Sequence, residues 1–358
     1  MGNLMLNTLI ERIRAAHADN TPLIIQGGGS KTFYGNADEG EILATRTLNG
    51  VVDYQPKELV LTAQSGTPLA EIEALLTEHK QMLAFEPPYF GGGATLGGSI
   101  AAGLSGPRRP YAGSARDFVL GVRIVDGTGQ ALRFGGKVIK NVAGYDVSRL
   151  MVGALGTLGL ITEVSLKVLP CPGAESTLQF ELDEAAAIVK MNTWAGLPLP
   201  LSATSWHAGL LSVRLSGARS AVHAAHAKLG GEAVNDAAAF WHRLRDQTTP
   251  FFDKRPSTLN QGLWRLAVKS TTPPLKLGDA QWIEWGGAVR WLVSDLPEAT
   301  LREITQRCGG HATLFRGTAP VDGAFTPLAP ALLTLHRNLK QRFDPKGIFN
   351  HGRLYPEF

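Results

Sequence analysis

Residues 91–103 read GGGATLGGSIAAG, with six glycines and three alanines in thirteen positions. Glycine inside regular structure costs about 0.5–1 kcal/mol relative to alanine, so helix packing alone is a poor explanation for so dense a run. Small residues let a backbone come close to an extended ligand while its N–H groups hold an anion such as a pyrophosphate. The run belongs to a wider excess: 41 glycines occur in 358 residues, and 17 of them lie in the 69 residues 91–159. No Gly-X-Y period runs through that stretch, which excludes collagen. Leu, Ile and Val are interleaved throughout, which argues against a flexible linker.

Working outward, an earlier glycine turn, Gln26-Gly27-Gly28-Gly29-Ser30, follows a short apolar strand at 23–25. Neither run fits the two commonest phosphate-binding designs. A P-loop needs Gly-Lys-Ser/Thr, but Lys31 follows Ser30 and Gly136-Lys137 is followed by Val138. The dinucleotide pattern Gly-x-Gly-x-x-Gly fails at Gly127-x-Gly129, because Leu132 holds its last position. Downstream, 118–125 and 131–134 alternate around Asp126-Gly127-Thr128-Gly129, a hairpin signal. A further strand is expected at 160–169.

The rest of the chain divides by texture. An amphipathic helix opens it, carrying Leu6, Leu9, Ile10 and Ile13 and ending near 19–20. Residues 58–63, 67–80 and 82–85 read as strand, helix and strand, a compact βαβ unit with Thr67 as cap and Pro68 at the first helical position. After Pro172 all seven tryptophans appear, from Trp194 to Trp291. Strands are expected there at 175–182, 201–206, 210–215, 262–269, 281–293 and 312–316, and helices at 183–193, 218–229, 236–246 and 297–307. An amphipathic helix at 330–342 precedes the tail. No repeat of solenoid period is apparent.

Bulk properties exclude several classes. The net charge of +4 comes without a basic run of five, so nucleic acid is not expected as a partner. Two cysteines, Cys171 and Cys308, are too few for a disulfide framework, a tetrahedral zinc site or an iron–sulfur cluster, and they fit a reduced compartment. No window of 18 apolar residues exists, so no transmembrane segment is expected. The opening helix carries charges and does not read as a signal peptide.

The order of motifs then carries a resemblance. The first glycine loop, GGGATLGGSIAAG, GPRRPYAGSARDFVLGVRIVDGTG, KVIKNVAGYD and GALGTLGLITEVSLKVLP together resemble the FAD-binding domain of vanillyl-alcohol-oxidase-type flavoproteins. The terminal FDPKGIFNHGRLY resembles the tail that closes that domain. Within the superfamily the chain is similar to the short FAD-binding subunits of glycolate oxidase, partners of a longer flavoprotein subunit and an iron–sulfur subunit. The match is dense over 23–172 and 330–358 and weaker between. It implies an α+β fold: a two-subdomain PCMH-type FAD-binding domain at 1–172, a ferredoxin-like α+β cap at 173–316 for substrate or subunit contact, and a segment at 317–358 returning to the FAD domain.

The resemblance also implies roles for residues. Gly27, Gly28, Gly29, Ser30, Thr95, Gly97, Gly98 and Ser99 would wrap the FAD pyrophosphate. Gly103, Ser105 and Gly106 would line the path to the isoalloxazine, with Ser114 and Asp117 behind. Gly156, Gly159 and Ile161 would sit by adenine and ribose, and Lys140 and Tyr145 match a Lys…Gly-Tyr-Asp run of related 2-hydroxy-acid dehydrogenases. Many relatives attach flavin to a histidine near these loops. Here none occurs between His17 and His79 or between His79 and His207, so non-covalent FAD is expected.

The substrate side is less marked. Oxidising a 2-hydroxy acid needs a cation for the carboxylate and a base for the hydroxyl proton. Metal-using relatives carry His-x6-His in the cap; that spacing is missing here, and no metal is expected. Catalytic residues stay unassigned. His242 and Arg243 (with Arg245), Arg290 and His336 are candidates against the plainer reading of surface or subunit-contact residues. Two functions follow: a subunit that itself oxidises glycolate to glyoxylate and passes electrons through flavin to an iron–sulfur partner, or a flavin electron-transfer and assembly subunit whose longer sister carries the chemistry. Either implies a cytoplasmic protein, placed peripherally at the inner face of the membrane through its complex.

Overall fold

Apolar alternation in the segments flanking the glycine loops produces an antiparallel sheet of five strands. In spatial order they are Val51–Gln55, Val60–Gln64, Leu160–Lys167, Val119–Val125 and Ala131–Gly135. The computed structural model describes residues 2–37, 39–136, 146–253, 261–278 and 281–358. Lys140 and Tyr145 lie outside the described residues. The hairpin at 126–130 is fixed by one carboxylate: Asp126 Oδ1 accepts from Thr128 N, Thr128 Oγ1 and Gln130 N at 2.7–2.9 Å. Helices Leu69–Glu78 and Leu96–Ala102 cover the sheet and bury Ile72, Leu76 and Ile100 against Leu61, Val164 and Phe118.

The order strand, helix, strand over 58–85 is present, but it is not a parallel βαβ unit. Val60–Gln64 belongs to the five-stranded sheet, whereas Gln81–Met82 pairs antiparallel with Leu169–Pro170. Thr67 does not cap its helix. Its hydroxyl accepts from Gly50 N and donates to Gly50 O, tying the helix start to a neighbouring loop. The first helix, Gly2–Asp19, packs Leu9 and Ile13 on a parallel pair, Leu23–Gln26 with Glu41–Ala44. Ile348 and Phe349 from the chain's end complete that core.

The second sheet has eight strands, all antiparallel. In spatial order they are Glu232–Ala233, Ala174–Glu181, Leu210–Gly217, Leu201–His207, Gln281–Glu284, Val289–Ser294, Gly262–Ala267 and His311–Arg316. It is two ferredoxin-like halves joined where Leu201–His207 pairs with Gln281–Glu284. The first half follows the full strand–helix–strand–strand–helix–strand order, with helices Glu184–Ala195 and Arg219–Leu229. The second keeps the strand order and the helix Glu298–Arg307. Its other helix is replaced by a connection from Ala267 to Gln281 without helix among the described residues.

Residues 281–293, expected as one strand, are two. Gly286 (φ 66°) and Gly287 (φ 101°) turn the chain, and a Cβ on Gly287 would lie 2.5 Å from the Ser270 carbonyl oxygen. Alternation assigns the faces of this sheet. Leu178, Val213, Ile283, Leu292 and Leu314 point to the side of the helices. Ala203, Trp282, Trp291, Leu263 and Phe315 point the other way, into an aromatic cluster shared with Tyr34, Ala102 and Leu104 of the first part of the chain. No helix among the described residues is long and apolar enough to cross a membrane.

Candidate functional site

Where the parallel pair ends, the chain opens a cleft of about 850 Å³. Ten residues marked from the sequence line it: Gly27, Gly28, Gly29, Ser30, Thr95, Gly97, Gly98, Gly156, Gly159 and Ile161. The reason for glycine is steric. A Cβ on Gly28 would sit 1.4 Å from Gly93 O, one on Gly27 would sit 2.4 Å from Thr95 Oγ1, and one on Gly97 would sit 2.6 Å from Ser65 Cβ. The two glycine loops therefore touch, which side chains would prevent. Among the described residues, none of the five backbone N–H groups from Gly27 to Lys31 has an acceptor. These residues are half-buried, and a row of unpaired donors in such a wall fits an anionic ligand.

Other polar groups support the same reading. Ser65 Oγ, in the cleft wall, and Ser99 Oγ, on the adjoining helix, are buried without partners among the described residues. Lys31 lines the cleft, its ammonium 3.3 Å from Ser30 Oγ and 5.6 Å from the Phe90 ring centre. Burial pushes its pKa down to about 8, against the opposing pull of Asp246. No histidine, cysteine or tyrosine lines the cleft among the described residues. The tail closes it: Asn350 Oδ1 accepts from Ile25 N, and Arg353 donates to the carbonyls of Thr32 and Asn36. The sequence reading marked none of Lys31, Ser65, Asn350 and Arg353. The terminal FDPKGIFNHGRLY motif was the available signal for the last two.

Other marked residues lie elsewhere. Gly103 ends its helix at φ 64°, against Gly153. Ser105 and Gly106 face a second space. Ser114 and Asp117 are committed to each other in a capping box, with Ser114 N and Oγ donating to Asp117 Oδ2 at 2.7 and 2.8 Å. Within the chain, that bonding engages the Ser114 hydroxyl and one Asp117 oxygen. Arg290 is fully buried and donates to the Gly287 and Thr272 carbonyls and to Glu184, so it pins the 285–287 turn and joins no group with His242. His242 and Arg243 are exposed on helix Ala237–Arg245. His336 Nδ1 lies 2.8 Å from Leu332 O, and its ring packs near Tyr355 and Phe358. No three His, Cys, Asp or Glu side chains come together to hold a metal among the described residues.

The second space is a small chamber between Ser105–Gly106 and the inner face of the eight-stranded sheet. Ala102 and Leu155 of the cleft wall pack in the aromatic cluster that also gives the chamber wall Phe90, Leu104, Trp291 and Phe315. Trp285 Nε1 donates to Gly106 O at 3.2 Å. Arg265 lies 4.8 Å from the Trp285 ring centre and 5.8 Å from that of Trp291, and Arg109 lies 4.4 Å from Trp285. Arg316 lies over Phe33, Phe90 and Phe315 at 4.6–5.4 Å, and burial pushes its pKa down to about 10. Glu284 Oε2 accepts from Trp291 Nε1 at 2.6 Å. Burial pushes the Glu284 carboxyl up to about 7, despite Arg265 nearby.

A third opening, a groove of about 1370 Å³, runs between the two parts of the chain and is walled by an ion network. Glu86 accepts from Arg108 and Arg214, and Glu175 pairs with Arg108. Its charges are mutually compensated.

Comparison with known proteins sets this geometry in context. A family model described as an FAD binding domain matches residues 6–135. Glycolate oxidase subunit GlcE of Escherichia coli (strain K12) is 48% identical over 349 residues, covering 98% of this chain and 97% of that protein. Glycolate oxidase subunit GlcD of Bacillus subtilis (strain 168) is 33% identical over 171 residues, which are 46% of this chain and 36% of that protein. D-2-hydroxyglutarate dehydrogenase of Xanthomonas citri pv. viticola is 31% identical over 173 residues, 48% of this chain and 36% of that one. The solved structure of alkyldihydroxyacetonephosphate synthase superimposes with a TM-score of 0.65 at 18% identity, covering 96% of this chain and 74% of that chain. That likeness shows the fold.

Proposed function

The chain belongs to the family of glycolate oxidase subunits represented by GlcE, and from that premise we propose that it is the short FAD-carrying subunit of a complex that oxidises glycolate or a similar 2-hydroxy acid. Its partners are a longer flavoprotein sister and an iron–sulfur subunit that takes the electrons from flavin. The complex works in the cytoplasm, docked at the inner face of the membrane. The observation that carries the reading is the cradle: two glycine loops in backbone contact, with five backbone N–H groups on cleft-lining residues that have no acceptor among the described residues. Gly27 to Lys31 would hold the pyrophosphate, and Thr95, Gly97 and Gly98 would form the opposite wall. FAD supplies the hydride-accepting ring, a chemistry no side chain offers.

Among the described residues no histidine, cysteine or tyrosine lines the cleft, which supports an FAD held without a covalent bond. The purified chain is expected to be yellow, and acid precipitation to release the colour into the supernatant. Colour fixed in the pellet would refute non-covalent binding, and a colourless folded protein would refute the cofactor reading. Anaerobic mixing with glycolate separates the two functions. Prompt bleaching of the flavin by this chain alone supports oxidation here; bleaching only after the sister is added assigns the chemistry to the sister.

A further inference from the structure

Arg265 stands in the chamber wall, and Arg316 stands outside it, behind Phe90 and Phe315. Among the described residues, neither Arg265 nor Arg316 donates a hydrogen bond or forms an ion pair. Both stand on the inner sheet face, on adjacent strands where Leu263 pairs with Arg316 and Arg265 with Thr313. Aromatic faces stabilise such cations but satisfy none of the five N–H donors of a guanidinium. Arg108, Arg214, Arg245 and Arg290 each meet a carboxylate, and Lys340 meets Asp344. The one carboxyl in the chamber wall, Glu284, engages one oxygen with Trp291, and its other oxygen has no hydrogen bond among the described residues.

We propose that this chamber is a binding site for a small carboxylic acid bearing an oxygen on the neighbouring carbon, so that this chain recognises such an acid itself. Arg265 grips the carboxylate with two parallel N–H donors, as guanidinium geometry favours. Glu284 meets the hydroxyl through its uncommitted oxygen, and Trp285 and Trp291 wall the acid from water. Arg316 adds attraction from behind Phe90 and Phe315. The choice of a 2-hydroxy acid rests on the function proposed above; the carboxylate site itself rests on the unpaired guanidiniums.

Oxalate is the probe, because it offers the carboxylate and adjacent oxygens but cannot be oxidised as a hydroxy acid. The full-length protein as purified is titrated with oxalate and with glycolate, read by calorimetry and by tryptophan fluorescence, with flavin content measured on the same samples. Both acids are expected to bind in the millimolar range or tighter, with a fluorescence change that Trp285→Phe reduces. Arg265→Gln is expected to weaken oxalate at least tenfold, and Arg265→Lys to recover part of that loss. Exposed Arg219→Gln leaves it unchanged, and circular dichroism checks that each variant is folded. Equal affinity in Arg265→Gln and parent, or no heat and no fluorescence change at about 10 mM oxalate, overturns the proposal whatever the flavin content. Binding by a colourless preparation would support this site while refuting the FAD reading.

Discussion

A methyl group on Gly28 would overlap the Gly93 carbonyl oxygen at 1.4 Å, whereas one on Gly92 would meet nothing within 4 Å. Gly28→Ala must therefore push the two loops apart. Its stability is expected to fall by an overpacking cost of about 1–3 kcal/mol, read as a lower melting temperature, together with a sharp loss of bound FAD. Gly92→Ala should stay within about 0.5 kcal/mol of the parent and keep its FAD; equal flavin content in the two variants would count against the cradle. Glu284 gives a second prediction at this scale. The folded chain keeps a proton on this carboxyl up to about pH 7, one that the unfolded chain loses near the ordinary carboxylate value. The folded state thus binds more protons across that window, and stability falls as pH rises through it. The penalty reaches about 3 kcal/mol above pH 7. Glu284→Gln should gain stability over the parent at pH 8 but not at pH 4.5, read from denaturant midpoints; a gain independent of pH would refute the assignment. Glycines 27–29 were legible as a turn that allows close approach, because that is written into one residue type, while their cofactor role came from the family resemblance. Lys31 and Ser65 were not, since nothing local marks a lysine or serine as facing a cleft.

At the scale of elements, the last helix, Pro330–Phe343, is held by a buried ion pair. Lys340 Nζ donates to Asp344 Oδ2 at 2.7 Å and to the carbonyls of Thr157 and Phe349, while Asp344 accepts from Ile348 N and Phe349 N. Burial lowers the Lys340 pKa and Asp344 raises it, the burial effect being the larger. Lys340→Met leaves the Asp344 charge unpaired in a dry site and should cost about 3–5 kcal/mol, seen as an earlier urea midpoint and easier proteolysis of the tail. A loss below about 1 kcal/mol would mean that water reaches the pair. The sequence placed this helix, and most strands of the second sheet, within a few residues because their apolar periods are clear. It merged 281–293 into one strand because Trp282 to Leu292 is apolar almost throughout. The reversal rests on two glycines whose positive φ is a backbone property that hydrophobic pattern does not register.

For the molecule as a whole, Glu86 joins the two parts. Its Oε1 accepts from Arg214 Nη2 at 2.8 Å and from Arg108 Nε at 3.4 Å, and its Oε2 accepts from Arg108 N at 2.7 Å. Arg108 comes from the glycine-rich part and Arg214 from the second sheet, both buried. Glu86→Gln should lower stability by about 2–4 kcal/mol, less than for a wholly enclosed pair because Glu86 is partly exposed. An unchanged urea midpoint would show that the aromatic cluster alone fastens the parts. By itself the sequence determined the family, the cofactor and the glycine loops, because backbone freedom and motif order are local and survive in a linear reading. Only the tertiary structure decided that Ile25 meets Asn350, that Ser114 and Asp117 cap each other, and that Arg265 and Glu284 share a wall. The physical reason is that side chains hundreds of residues apart converge only through sheet pairing and core packing, which depend on the summed contacts of the whole chain.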